Sequence, residues 1–272
     1  MNSPNLTSKE FKLFRELIYR EFGISLSDKK QTLVQTRLRK WLHKMELSSY
    51  RQLYDYFEEN PHDLMLLADA ITTNVTSFFR EQSQWTYLGE HIPEAYASKK
   101  SLRIWSAACS SGQEPYTIAM FLQSLLQEST SWDIKILATD LSKEILQKAI
   151  KGEYRQKDME GLPKHYRVKY FNKNKTKMGE TYSISNSLKE LIMFRLFNLV
   201  SGNYGLFKNK FDIIFCRNVM IYFDKKTQED VIKNLLSVLK PGGLLLIGHS
   251  ESITNLNMSI KSVAPSVYMK KG

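Results

Sequence analysis

Apolar residues recur at helical spacing through about the first 75 positions, with no convincing strand between them. Thr7-Ser8-Lys9-Glu10 has the spacing of a capping box, in which a hydroxyl and a carboxylate satisfy exposed amides at a helix start, and Phe11, Phe14 and Ile18 then mark one face. A second helix is predicted from Ser27. Its apolar positions Val34, Leu38, Trp41 and Met45 share one side, while Lys30, Arg37, Arg39, Lys40, His43 and Lys44 supply a basic surface. A third helix is predicted from Ser48 to Glu58, and Asn60-Pro61 reads as a cap followed by proline at the first position of a fourth. The pattern predicts an amino-terminal all-α domain over residues 1–75.

From about Leu102 the texture changes to short apolar runs alternating with amphipathic stretches, the signature of a parallel sheet flanked by helices. Strands are predicted at Leu102 to Ser106, Ile134 to Thr139, Phe211 to Cys216 and Leu244 to Gly248. Helices are predicted near Pro115 to Gln127, Ser142 to Lys151 and Lys225 to Leu239, the last ended by Lys240-Pro241-Gly242-Gly243 as a helix stop and turn. The alternation breaks over residues 152–191, where Tyr166, Tyr170, Phe171, a polar turn from Asn172 to Gly179 and a short strand from Thr181 to Ile184 predict an inserted β-rich element. The second domain is therefore α/β and spans residues 76–272.

Charge adds a preference for partners. Lys and Arg number 39 against 28 Asp and Glu, a net charge of +11, which favours phosphates, acidic protein surfaces or an anionic membrane face. With 42% hydrophobic residues, 12 Gly and 7 Pro, a disordered or collagen-like chain is excluded. Two cysteines, Cys109 and Cys216, build no disulfide framework, and no clustered Cys or His pattern suggests a metal site. Met1 to Lys12 has no apolar signal core and no apolar run reaches the length of a membrane span, so a cytoplasmic chain without membrane insertion is expected.

In an open α/β sheet, ligands sit beyond the carboxyl ends of the strands. The first such end reads Trp105-Ser106-Ala107-Ala108-Cys109-Ser110-Ser111-Gly112-Gln113-Glu114-Pro115, small residues that let the backbone turn closely around a ligand. Only one glycine is present, so the G-x-G-x-x-G dinucleotide fingerprint is absent and a nicotinamide dehydrogenase is disfavoured. Asp140, after the second strand, stands where adenosine cofactors present their ribose diol, and a helix N-cap is its structural alternative. Arg217, Asn218 and Tyr222 directly follow a buried strand, where unpaired polar groups face either a ligand or one another. Cys109 and Cys216 read as small buried residues with no adjacent His to activate them. His249 is a candidate base or a satisfied structural histidine.

Four segments together resemble the chemotaxis receptor methyltransferase (CheR) family: Thr72-Thr73-Asn74-Val75-Thr76-Ser77-Phe78-Phe79-Arg80-Glu81, Trp105 to Tyr116, Phe211 to Asp224, and Leu239-Lys240-Pro241-Gly242-Gly243 through Gly248-His249-Ser250-Glu251. The resemblance covers nearly the whole chain. It implies a class I SAM-dependent methyltransferase sheet, Rossmann-like, with a small inserted β-subdomain and a preceding helical domain for receptor recognition. It also implies an enzyme that transfers methyl groups from S-adenosylmethionine to glutamate side chains of chemoreceptors in chemotaxis adaptation, leaving S-adenosylhomocysteine. Carried over by position, Asn74, Thr76, Arg80, Glu114, Asp140, Asn198, Leu199, Arg217 and Asn218 would bind the cofactor, with Arg80 and Tyr222 at the methyl-transfer end. Cys109 and Gln113 depart from the residues frequent at their positions, and neither removes a matched cofactor residue. Arg37, Lys40 and Lys44 are candidates for docking the acidic receptor helices, with a solvated basic face as their plain alternative. The turn with Lys173, Lys175 and Lys177 lies in the element that in the family can hold a receptor tail peptide. A nucleic-acid methyltransferase is the rival favoured by charge, but Arg217-Asn218-Val219-Met220 lacks the Asn/Asp-Pro-Pro-aromatic clasp for a flipped base, so no nucleic acid is expected as partner. A non-catalytic adaptor would keep the pocket and transfer nothing.

Overall fold

Helix α1 (Ser8–Phe22) starts at the expected capping box: the Glu10 amide donates to Thr7 Oγ1 at 3.2 Å and the Thr7 amide to Glu10 Oε2 at 2.9 Å. It ends where Gly23 takes the left-handed φ of 67°, placing Phe22 and Ile24 on either side of a turn. The computed structural model describes residues 4–72, 74–126, 132–176, 179–207, 210–253 and 259–272, so Thr73, Gln127 and Lys177 of the sequence reading lie outside the described residues.

Helix α2 (Gln31–Lys44) begins later than Ser27, because Ser27 makes no capping bond and a 3-10 turn, Asp28–Lys30, intervenes. Helix α3 (Tyr50–Glu59) is followed by a second 3-10 turn at Pro61–Asp63 before α4 (Leu64–Ile71). Asn60 is occupied elsewhere: its side chain donates back to the Tyr56 carbonyl at 2.8 Å and caps the end of α3 instead of the start of the next helix. The apolar faces of α1 to α4 meet in a core of their own that includes Phe14, Ile18, Leu38, Leu53, Phe57 and Leu67.

Helix α5 (Gln82–Tyr96) leads into β1 (Ser101–Ala107), α6 (Gln113–Leu125), β2 (Asp133–Asp140) and α7 (Lys143–Lys151). Next come β3 (Glu153–Arg155), α8 (Lys164–Tyr170), β4 (Phe171–Thr176), β5 (Gly179–Ile184) and α9 (Asn186–Lys189). The chain then runs through β6 (Ile192–Leu196), β7 (Phe211–Cys216), α10 (Lys225–Val238), β8 (Leu239–Ile247), β9 (Ile260–Ala264) and β10 (Val267–Lys270). Seven strands form one sheet in the order β6-β2-β1-β7-β8-β10-β9, parallel as far as β8 and antiparallel for the last two. Both faces are covered. Ile104, Ile213, Phe215 and Leu246 belong to the core under α5 and α6, while Trp105, Ile214, Leu245 and Ile247 belong to the core under α10.

Two further segments differ from the sequence reading. The polar turn expected from Asn172 to Gly179 is largely strand: β4 pairs antiparallel with β5, with Lys173 Nζ 2.7 Å from Glu180 Oε1, in a separate sheet ordered β3-β5-β4. Past the buried Phe171, residues Asn172 to Lys175 of this edge strand are exposed and need no apolar alternation, which is why their polar sequence reads as a turn. Lys240-Pro241-Gly242-Gly243 does end the helix, but it is drawn into β8 as a bulge: Phe211 faces Leu239 and Ile213 already faces Leu244. Among the described residues no helix is long and apolar enough to cross a membrane.

The bundle is fastened to the sheet by polar and backbone contacts. The Ser25 amide donates to the Tyr222 carbonyl at 2.8 Å, Ile24 forms a β-bridge with Phe223, Tyr19 Oη donates to Asp224 at 2.7 Å and Asn198 Nδ2 donates to the Glu21 carbonyl at 2.9 Å. This seam sits at the carboxyl ends of β1, β2 and β7.

Candidate active site

An open cavity lies at that seam, lined by residues of both the bundle and the sheet. Asn74, Thr76, Arg80, Glu114, Asp140, Asn198, Leu199, Arg217, Asn218 and Tyr222 all line it. They come from five separate stretches of chain, which the strand order brings together where β1 passes its connections to opposite sides.

The floor is the turn after β1. Ala108, Ser110 and Gly112 have φ of 70°, 51° and 93°, so the backbone doubles back tightly before α6, a conformation that non-glycine residues adopt only under surrounding constraint. That turn presents the Ser110 amide to Asp140 Oδ2 at 2.8 Å, while Asp140 Oδ1 accepts from the Ser142 amide at 3.0 Å. The cap of α7 is Ser142, whose hydroxyl accepts from the Ile145 amide at 3.1 Å, so Asp140 is free of the N-cap role. Burial pushes the Asp140 carboxyl above the ordinary range, and the amides of Ser142, Ser110 and Leu141 oppose that rise.

One wall is a buried charge cluster. Ser106 Oγ donates to Glu114 Oε1 at 2.6 Å, and Arg217 Nε lies 3.0 Å from Glu114 Oε2 and 3.7 Å from Glu81 Oε2. Arg217 Nη1 donates to the Arg80 carbonyl at 3.1 Å and to Gln84 Oε1 at 3.0 Å, locking the segment after the bundle to the end of β7. Burial raises the Glu114 carboxyl, with Arg217 and Ser106 pulling it down. Glu81 joins this cluster at a φ of 64°; it closes the first of the four motif segments but was given no role in the site there.

Across the cavity, Asn198 is committed to structure as well as lining. Besides its bond to α1, its Oδ1 accepts from the Val200 amide at 2.9 Å, shaping the loop that offers Phe197 and Leu199 as apolar walls. Arg80 Nη1 donates to the Val75 carbonyl at 3.3 Å, and Ser110 Oγ donates to the Asn74 carbonyl at 3.3 Å. Phe22 and Ile24, at the carboxyl end of α1, also face the cavity and were missed in the sequence; apolar residues around a helix-ending glycine give no hint of a ligand site completed by distant segments of the chain.

Residues 9–72 match the CheR methyltransferase all-alpha domain, and residues 74–269 match the CheR methyltransferase SAM binding domain. The chain belongs to the CheR methyltransferase family. It is 37% identical to a chemotaxis protein methyltransferase of Borreliella burgdorferi over 98% of this chain and 95% of that protein. It is 34% identical to chemotaxis protein methyltransferase 2 of Pseudomonas aeruginosa over 96% of this chain and 93% of that protein. A chemotaxis protein methyltransferase of Escherichia coli is 34% identical over 97% of this chain and 91% of that protein. This CheR family member is thus a methyltransferase dependent on S-adenosylmethionine.

The cavity fits such a cofactor on its own chemistry. A buried carboxylate, Asp140, suits a diol; Glu114, a second buried carboxylate on the lining, suits a cationic group; and Leu141, Phe197 and Leu199 give apolar contact for a base. Other residues from the sequence reading lie apart. Arg37 Nη1 donates to the carbonyls of Ile71 at 2.9 Å and Thr72 at 2.8 Å, so its guanidinium holds the end of α4. Lys40 and Lys44 are exposed and flank the Trp41 ring at 5.1 and 4.8 Å. His249 Nε2 sits 3.2 Å from Ser83 Oγ, outside the lining, and Cys109 and Cys216 are buried thiols whose pKa burial pushes up.

Proposed function

We propose that this enzyme methylates glutamate side-chain carboxylates on the cytoplasmic helices of chemoreceptors, as part of chemotaxis adaptation in the cytoplasm. The observation that supports this best is the cavity itself, which is built jointly by a sheet crest and a helical bundle and gathers buried acids with two residues, Arg80 and Tyr222, suited to hold an incoming carboxylate. When bound, S-adenosylmethionine supplies a methyl group made electrophilic by its sulfonium.

The residues of this chain then have positional tasks. A glutamate has an ordinary pKa near about 4.3, so at neutral pH the nucleophile is ionised and no side chain has to take its proton. Asp140 and Glu114 hold the polar parts of the cofactor, Asn198 and Leu199 border its base, and Asn74, Thr76, Arg217 and Asn218 complete the pocket. Arg80 binds a carboxylate oxygen other than the attacking one, because a tight guanidinium pair on the attacking oxygen would quench it. Tyr222 donates a hydrogen bond or walls the transfer end, and closure by the bundle excludes water from the charges. In this reading residues 1–75 form the receptor-recognition domain and 76–272 the methyltransferase domain, with residues 152–191 as its insertion. Lys40 and Lys44 steer the acidic receptor, with Arg37 beside them keeping α4 in place. The exposed edge of β4, carrying Lys173 and Lys175, suits a receptor tail peptide added as a further strand.

Incubation with radiolabelled S-adenosylmethionine and a chemoreceptor cytoplasmic fragment tests the proposal. Label that is released by mild base and maps to glutamates is expected; base-stable label, or none on the receptor while the enzyme binds the cofactor, would overturn it.

A further inference from the structure

The turn that closes β8, Gly248-His249-Ser250-Glu251, contributes nothing to the cavity lining, yet it holds a buried carboxylate against the loop that does. Glu251 is 8% exposed. Its Oε1 accepts from the Met220 amide at 2.8 Å, and its Oε2 accepts from the amides of Asn218 at 2.9 Å and Gly248 at 2.6 Å. These are charge-assisted bonds to three backbone donors that would otherwise be buried without partners. Two of them belong to the segment from Arg217 to Tyr222, in which Asn218 is held at a φ of 58°.

The turn is built to fit that segment. The Glu251 amide donates back to the Gly248 carbonyl at 2.9 Å. A Cβ on Gly248 would stand 2.5 Å from Asn218 Nδ2, 2.8 Å from Glu251 Oε2 and 2.9 Å from the Asn218 nitrogen, so only glycine lets the two loops approach this closely. On its other side the turn reaches the segment after the bundle: the His249 amide donates to Glu81 Oε1 at 3.0 Å. One short turn therefore touches both halves of the site, the segment carrying Arg80 and the segment carrying Asn218 and Tyr222.

We infer that Glu251 is a positioning residue for methyl transfer, acting through the Asn218 and Met220 amides to hold the loop that presents Asn218 and Tyr222 to the cavity. This inference rests on the methyltransferase site described above. Glu251→Gln keeps the shape but places an NH2 group against backbone N–H donors, so at least one amide loses its acceptor.

The test measures S-adenosylhomocysteine affinity by calorimetry on folded protein, together with amide hydrogen exchange. Glu251→Gln is expected to weaken the affinity by roughly tenfold or more and to speed exchange at Asn218 and Met220 selectively, with the amides of β1 unchanged. A merely structural role would lower melting temperature and speed exchange throughout, leaving the affinity of folded molecules as in the wild type; that result overturns the inference. Should Glu251→Gln fail to fold, Gly248→Ala, which keeps the carboxylate but intrudes on Asn218, is expected to give the same selective pattern. The wild type decides independently of either variant: slow exchange at the Asn218 and Met220 amides is expected, and exchange as fast as in an open loop contradicts the role. Failure of the wild type to bind S-adenosylhomocysteine would instead overturn the reading of the site itself.

Discussion

Removing the Arg217 guanidinium is the sharpest perturbation of the buried charge cluster. Its side chain is 3% exposed, between Glu81 at 8% and Glu114 at 10%, and it also satisfies the Arg80 carbonyl and Gln84 Oε1. Arg217→Met would leave two carboxylates without the guanidinium that lies between them, and stripping one partner from a buried ion pair costs about 3–5 kcal/mol. At about 2–4 °C per kcal/mol for a chain of this size, the melting temperature should fall by about 10 °C. The deficit should also depend on pH. Burial already raises the Glu114 carboxyl and Arg217 holds it down, so without Arg217 it climbs further. A carboxyl that binds its proton more tightly folded than unfolded makes stability fall as pH rises between the two values, so the deficit should be smaller at about pH 5 than at about pH 8. Thermal melts at both pH values, with Arg217→Met/Glu114→Gln as the closing corner of a double-mutant cycle, measure this. The double variant should recover part of the loss. A melting temperature within about 2 °C of the wild type at neutral pH, or a deficit that grows on acidification, would refute the electrostatic reasoning.

Asp140→Ala should weaken S-adenosylhomocysteine binding by at least about tenfold, roughly 1.4 kcal/mol, in a calorimetric titration; unchanged affinity would remove Asp140 from the cofactor site. Arg80→Lys keeps the charge but loses the planar fork, so turnover should drop by about tenfold or more at an unaltered melting temperature, and wild-type turnover would count against a carboxylate-holding role. Gly23→Ala puts a Cβ 2.7 Å from Val200 Cγ2 at a φ of +67°, so it should destabilise the chain by about 1–3 kcal/mol and loosen the walls formed by Phe22 and Ile24; denaturant melts would show it. Lys40→Glu/Lys44→Glu should slow receptor methylation in dilute buffer and lose most of its effect above about 0.15 M salt, where charges are screened within about 8 Å; a salt-independent deficit would argue for direct contact instead.

Much of this architecture is legible in the chain because its signals are local. The capping box at Thr7, the fully buried run Phe211–Cys216 and the small-residue turn after Trp105 each encode their element within a few residues, and all appear where the pattern puts them. Helix α5 is harder to read, since Gly89 and Pro93 interrupt its pattern although α5 packs Trp85, Leu88 and Ile92 into the core. Strands β4 and β6 are exposed edges whose side chains need not alternate. Asn74, Thr76, Arg80, Glu114, Arg217, Asn218 and Tyr222 lie in the four motif segments and Asp140 at a strand end, whereas the contributions of Phe22 and Ile24, and the pairing of Glu81 with Arg217, depend on how distant segments meet. Arg37 makes the same point in reverse: a basic residue on a polar stripe looks free in sequence, and only the end of α4 reveals what it holds.

Hydrogen exchange with and without S-adenosylhomocysteine tests most directly whether the seam between bundle and sheet is the site of methyl transfer. Added ligand should slow exchange in residues 74–80, 108–114, 140–142 and 197–199 and in the loop from Arg217 to Tyr222, all at once. Protection confined to another surface, or none despite saturating ligand, would contradict it.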